Sequence, residues 1–332
     1  MQLRSTLNSQ LSGARYETFQ LKENRNHLLQ LIEQKQRRIT HLDSLLRQKR
    51  EQQKVSYSAP VLQASEPVLS DETVSTLPLS VVNGTRGKKL ISLTFDGGSV
   101  NNAAAQILDT LADRDVRATM FLTGHFIRRY PRTVKDILAA GHEVGNHTWS
   151  HPHLTTWAQN RRHHTLPEIS REMIGSQLLR ANDQFRSITG QDLAPIWRAP
   201  FGEKNKQICS WALSYGYVHI AWKQGRTWRE NYDSNDWVPD EDTPGYRTPE
   251  EVLEKYLHLA RQEQNGMNGG ILLFHLGTAR KDPDQQVHLI LGSLIDSFHS
   301  MGYQIVPVTV LLQESGIDIR ALMNESKMVV QH

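Results

Sequence analysis

Beyond residue 88 the chain alternates short apolar runs with stretches of three-to-four-residue apolar spacing, a pattern of strands separated by helices. Strands are expected over Leu90–Phe95, Ala118–Leu122, Glu143–Asn146, around Ile196-Trp197, and over Tyr217–Trp222, Ile271–Phe274 and Tyr303–Val308. Helices are expected over Ala103–Ala112, Pro131–Ala140, about Pro167 to Ile188, Asn205–Tyr215, Pro249–Gln264 and Gln285–His299. About seven strands alternating with helices predict an α/β fold with a parallel sheet, either doubly wound or closed as a barrel. Asp96, His147, Arg198 and His275 each fall just past the end of a different expected strand, which favours a distorted (β/α) barrel with its site on that rim.

The first part of the chain has another period. Leu21, Leu28, Ile32, Ile39, Leu42 and Leu46 fall at heptad-like steps, with Arg25 and Lys35 on the same seam. Residues 1–54 are therefore read as a helical coiled-coil stalk, self-associating through residues 21–49. Residues 55–87 lose periodicity and carry Ser-, Pro- and Gly-rich turns, a linker. The barrel domain is expected over 88–315, and a tail over 316–332.

Charge separates the same parts. The formal net charge of +3 divides into +6 for residues 1–54 (eleven Lys/Arg against five Asp/Glu) and −3 for the rest (27 against 30). The basic stretch reads as the solvated face of a helix rather than a nucleic-acid surface. No apolar run approaches the roughly 20 residues of a membrane span. No signal peptide is visible in the first thirty residues, though a removed signal or anchor could have preceded Met1. Cys209 is the single cysteine, so an internal disulfide and a Cys-based zinc cluster are excluded; it reads as a small buried apolar residue.

Candidate chemistry lies in five places. Thr94-Phe95-Asp96-Gly97-Gly98 closes a strand; His147-Thr148-Trp149-Ser150-His151-Pro152 carries two imidazoles four residues apart, close enough to share one ion. Arg198-Ala199-Pro200-Phe201-Gly202, Asp233-Ser234-Asn235-Asp236-Trp237 and Leu273-Phe274-His275 follow. The Asn265–Gly270 stretch is a flexible turn, Arg161–His164 a polar loop, and the polar insertion from Lys223 to Thr248 is long enough to border a groove.

From about Leu90 to about Val310, these five segments in this order resemble the polysaccharide deacetylase (NodB homology) family of metal-dependent carbohydrate esterases. The resemblance implies a NodB-type barrel and hydrolysis of N-acetyl groups from amino sugars of a polymer, peptidoglycan or an exported N-acetylglucosamine polymer, by an enzyme of the cell envelope or exterior. It implies a divalent cofactor, Zn2+ or another transition metal such as Co2+, held by His147 and His151. Asp96 would be the general base, kept ionised by Arg198, and His275 the general acid, oriented by Asp236. The Phe201 backbone N–H would face the oxyanion, with Pro200 shaping its loop; Trp237, and less readily Trp149 and Trp197, would stack on sugar.

The chain departs from the family pattern at Gly97, where T-F-D-D-G places the metal's carboxylate ligand. Asp96 doing double duty as ligand, a water, or a remote acid such as Glu143 or Glu203 would fill the gap. A second reading keeps the fold as a glycan-binding scaffold that has lost its metal, and a third an amidase acting on a non-sugar amide.

Overall fold

The computed structural model describes residues 77–262 and 264–319. The expected coiled-coil stalk, most of the linker and nearly all of the C-terminal tail lie outside the described residues.

Among the described residues eight strands form one sheet, and every pairing of strands within it is parallel. They are β1 (Ser80–Val81), β2 (Leu90–Gly97), β3 (Thr119–Leu122), β4 (Glu143–Asn146), β5 (Ile196–Trp197), β6 (Val218–Ile220), β7 (Gly270–His275) and β8 (Gln304–Ile305). The spatial order is β1-β6-β5-β4-β3-β2-β7, with β8 also on β2. All eight residues of β2 are buried, and Leu-Ile-Ser-Leu-Thr-Phe is the near-continuous apolar run expected of a central parallel strand covered on both faces.

Nine α-helices cover this sheet among the described residues: α1 (Ala104–Ala112), α2 (Gly124–Arg129), α3 (Pro131–Ala139), α4 (Trp157–Asn160), α5 (Arg171–Thr189), α6 (Lys206–Ser214), α7 (Pro249–Ala260), α8 (Leu291–Ser300) and α9 (Val308–Glu314). Their starts are chemically set. Ser170 and Asn205 accept from the third backbone N–H beyond them, and Thr248 forms a full capping box with Glu251 behind Pro249 at the first turn. The C-terminus of α5 is closed by Gly190 at φ 73°.

The sheet is strongly curved, and one side chain demonstrates it. Arg198, just past β5, donates from Nη1 to Thr94 Oγ1 and Asp96 Oδ1 of β2 at 2.9 and 2.8 Å. In a flat sheet those strands, three spacings apart, would stand about 14 Å from one another, beyond the reach of a side chain. Curvature turns the strand ends inward, as the expected barrel requires.

Several expectations shift at their edges. The segment read as linker supplies β1, whose Ser80 pairs with His219 and donates or accepts through Oγ to its Nδ1 at 2.9 Å. Pro307 cannot continue the last ladder, so the strand expected over Tyr303–Val308 shortens to β8 and Pro307 instead precedes α9. The helix expected from Gln285 opens as two 3₁₀ turns, Pro283–Gln285 and Val287–Ile290, before α8. Cys209 is buried on α6, and burial pushes its thiol up to about 11, the inert state expected of it.

Gly175 sits inside α5, where alanine would ordinarily gain about 1 kcal/mol of helix propensity. A Cβ there meets the Tyr215 ring at 2.2 Å. Overpacking costs about 1–3 kcal/mol. Gly175→Ala is therefore expected to lower the melting temperature by several degrees; an unchanged or raised value in a thermal scan would contradict this packing.

Candidate active site

The register of the sheet assembles the site. Asp96 and His275 are paired residues on β2 and β7, so their side chains leave the same face as neighbours. Asn146 pairs with Trp197, which places His147 and Arg198, the next residue of each strand end, beside one another. Their contact is direct: His147 Nδ1 lies 2.9 Å from the Arg198 carbonyl, so that nitrogen carries the proton and donates, and Nε2 is left with its lone pair. Nε2 stands 3.5 Å from Asp96 Oδ2.

Asp96 is buried, and burial alone would raise its pKa. The Arg198 cation, with His147 and His275 beyond it, outweighs burial and holds the carboxyl below its ordinary value. Asp96 is therefore an ionised, hydrogen-bonded carboxylate. Arg198 is fully buried with its guanidinium over the Phe121 ring at 4.2 Å, and its Nη2 lacks a hydrogen-bond partner among the described residues.

The two imidazoles remain neutral. Burial lowers His147, and burial with the neighbouring His147 pushes His151 down to about 3. The rings meet edge to face with centroids 4.8 Å apart. His151 reaches this position at φ 59° and Thr148 at φ 67°, left-handed conformations uncommon for residues with a Cβ. The loop is held there by Gln177 of α5, whose Oε1 accepts from the N–H groups of Trp149 and Ser150, and by Thr148 Oγ1, which accepts from the His151 N–H.

His275 is the opposite case. Burial disfavours its charge, but Asp236, reinforced by Asp96 and Asp233, raises it to about 9. Asp236 accepts from His275 Nδ1 at 2.7 Å and from its backbone N–H at 2.8 Å. The loop presenting Asp236 is pinned by two basic side chains. Arg280 donates to the carbonyls of Asn235 and Val238, and Lys255 of α7 to the carbonyl of Asp233 at 2.6 Å. Lys255 lies over the Trp228 and Tyr256 rings, and burial lowers its pKa to about 7. Sequence reading passed over Lys255, yet it interrupts the apolar stripe of α7 between Val252 and Leu259, a legible signal.

These groups converge on a cavity of about 1020 Å³, lined by Asp96, His147, His151, His275, Phe201 and Trp237 among others. Phe201 sits at φ 57° with its ring stacked on His153 at 4.1 Å and edge-on to His151 at 4.5 Å. Pro200 is buried beneath it, and Trp237 is half exposed on the rim. Two tryptophans offered for sugar stacking are elsewhere. Trp197 is wholly buried, and Trp149 is packed against Gly124 and under the Arg180 guanidinium at 4.0 Å. Trp157, which lines the cavity and stacks on His163, takes a place the sequence did not suggest.

Two neutral imidazoles beside a carboxylate are a donor set that suits a divalent ion of the zinc type. Among the described residues, however, no group of three or more His, Cys, Asp or Glu is arranged to hold one. Neither spare acid reaches in. Glu143 begins β4 at the far end of the sheet, bound to Thr119 and Thr309, and Glu203 is used by His153 and the N–H groups of Leu154 and Thr155. A Cβ at Gly97 would meet Leu122 Cδ2 at 2.6 Å, with Leu276 and Phe126 at 3.3 Å. The space beside Gly97 is filled with hydrocarbon.

Residues 83–220 match the family model described as polysaccharide deacetylase. The chain is 36% identical over 160 residues to an uncharacterised 30.6 kDa protein of Geobacillus stearothermophilus, covering 46% of this chain and 56% of that one. It is 28% identical over 240 residues to a peptidoglycan-N-acetylglucosamine deacetylase of Listeria monocytogenes, covering 72% and 42% respectively. The chain thus spans about half the length of these curated relatives. Among solved structures, the chitin deacetylase of Colletotrichum lindemuthianum superposes with a TM-score of 0.53 at 26% identity, covering 70% of this chain and 90% of that one. By family match, residues 83–220 carry a polysaccharide deacetylase domain, and the fold around them is that of a solved chitin deacetylase.

Proposed function

We propose that this chain hydrolyses the N-acetyl group of amino sugars in a polysaccharide, peptidoglycan before chitin-type polymers, at the cell envelope. The observation that carries the proposal is a pair of oppositely tuned groups in one cavity, Asp96 ionised beside Arg198 and His275 charged beside Asp236. Titratable groups driven apart in this way supply a base and an acid at the same pH.

Asp96 accepts the proton of the attacking water, and the fixed Arg198 charge keeps it available as a carboxylate. His275 delivers its Nε2 proton to the departing sugar nitrogen, while Asp236 fixes Nδ1–H and the ring plane. The Phe201 backbone, held left-handed above Pro200, is proposed as the oxyanion donor, and Trp237 as the stacking face for a sugar ring. A divalent ion, zinc by donor chemistry, would be held by His147 and His151, with Asp96 the nearest carboxylate, and bound there it would polarise an amide carbonyl and acidify water. The hydrocarbon beside Gly97 favours one second reading, a glycan-binding scaffold with too weak a metal site to act.

Acetate release from peptidoglycan, measured with zinc supplied, separates the two. Asp96→Asn is expected to lower the rate by about a hundredfold or more, the typical worth of a positioned general base. No release from any N-acetylated glycan by the native chain would remove the enzymatic reading.

His275 must be protonated to act, so kcat/KM is expected to hold through neutral pH and fall above about pH 9. Asp236→Asn removes the largest favourable charge on that imidazole and should move the alkaline limb to lower pH by at least about one unit. An unmoved limb would show that another group sets it.

Zinc titration calorimetry addresses the metal. Because Leu122 occupies the direction of a Gly97 side chain, Gly97→Asp alone is expected to leave zinc affinity unimproved and lower the melting temperature. Gly97→Asp with Leu122→Ala is expected to tighten zinc about tenfold or more, the scale of one added carboxylate ligand.

A further inference from the structure

The wall of the cavity above β3 and β4 is basic, and nothing in the proposed chemistry uses it. Arg128 and Arg129 end α2, which follows β3, and Arg161 follows α4 in the loop after β4; all three are exposed and line the cavity. None forms an ion pair among the described residues. Their contacts hold the guanidinium groups in place while leaving their charge free. Arg128 lies over Trp149 at 5.5 Å, Arg161 over Trp157 at 5.7 Å, and Arg129 over Tyr130 at 5.3 Å with Nη1 3.4 Å from the Ser99 carbonyl.

The same cavity offers no carboxylate to neutralise them. Its three acids are committed: Asp96 to Arg198, Glu203 to His153 and two backbone N–H groups, and Asp233 to the Asn235 N–H. A neutral N-acetylglucosamine polymer offers these three cations no opposite charge. A planar fork donor matches a carboxylate.

We infer that Arg128, Arg129 and Arg161 form a subsite for carboxylates carried on the sugar repeats flanking the one that is deacetylated, so that this chain selects an acidic glycan over a neutral one. This rests on the deacetylase reading for its substrate class, but it is testable by binding alone. In peptidoglycan such carboxylates come from two sources. The lactyl group supplies them where the stem peptide has been removed, and the stem peptide supplies its own where it remains.

The test is calorimetric binding of the full chain to three probes of matched length: stem-bearing peptidoglycan strands, strands stripped of stem peptides by an amidase, and chitohexaose. One or both acidic strands should bind at least about tenfold more tightly than chitohexaose, three exposed ion pairs together being worth that much. The gap should shrink between about 0.05 and about 0.5 M salt as the Debye length falls. The triple variant Arg128→Gln, Arg129→Gln, Arg161→Gln should close the gap, and the matching triple lysine variant, which keeps the charge, should retain part of it. Tighter binding of stripped strands identifies the lactyl carboxylate; tighter binding of stem-bearing strands alone identifies the peptide. Equal affinity for all three probes, or a gap that survives the glutamine variant, would overturn the inference. Selective binding without acetate release would leave it standing and sink the deacetylase reading instead.

Discussion

The buried pair between Asp96 and Arg198 is the constraint on which the rest of this structure depends. It spans the curved sheet from β5 to β2, and it takes two full charges out of water. Removing one partner of such a pair typically costs about 3–5 kcal/mol, because the other charge is left unsolvated. The sheet's curvature, the ionisation of Asp96 and the placement of His147 against the Arg198 carbonyl are therefore one arrangement. None of them can relax alone.

Around that pair, the cavity divides its histidines by whether a bonded carboxylate offsets their burial. His275 is given a carboxylate whose charge outweighs burial and so holds a proton near neutral pH, whereas burial keeps His147 neutral despite its bond to a backbone carbonyl, and burial with the neighbouring His147 keeps His151 neutral. Neighbouring imidazoles thus take opposite jobs, proton donor and lone-pair donor, through what each is bonded to.

What was legible in the sequence was set by local pattern. The apolar run of β2, the helical period of α7 and the five segments with their polar residues could be read because each lies within a short stretch of consecutive positions. What was not legible depends on residues far apart. A tryptophan between two histidines can be read as packing or as a sugar platform, and only Gly124 and Arg180, pressed against Trp149, decide for packing. Glu203 reads as a spare ligand until the backbone of Leu154 and Thr155 is found to consume it. β1 was read as linker because two residues carry no period, and the hydrocarbon beside Gly97 comes from Leu122, Phe126 and Leu276 on three other elements. The arginine wall was split between a short helix and a loop, neither with a recognisable pattern.

The left-handed residues at Thr148, His151, Phe201 and Asn235 have a consequence for how the molecule opens. All four lie in loops leaving one end of the sheet, and conformations of this kind cost about 1–2 kcal/mol each for residues with a Cβ. Together they are comparable to a substantial part of the about 5–15 kcal/mol that holds a typical domain folded. The two ends of the sheet are thus unequal. The end at which the strands begin carries two such residues, Asp115 before β3 and Asn265 before β7, against four at the chemical end, which is held in shape by ties to Gln177, Arg280 and Lys255 among others. Partial unfolding would begin at the chemical end and leave the sheet intact, so that activity and global stability need not be lost together.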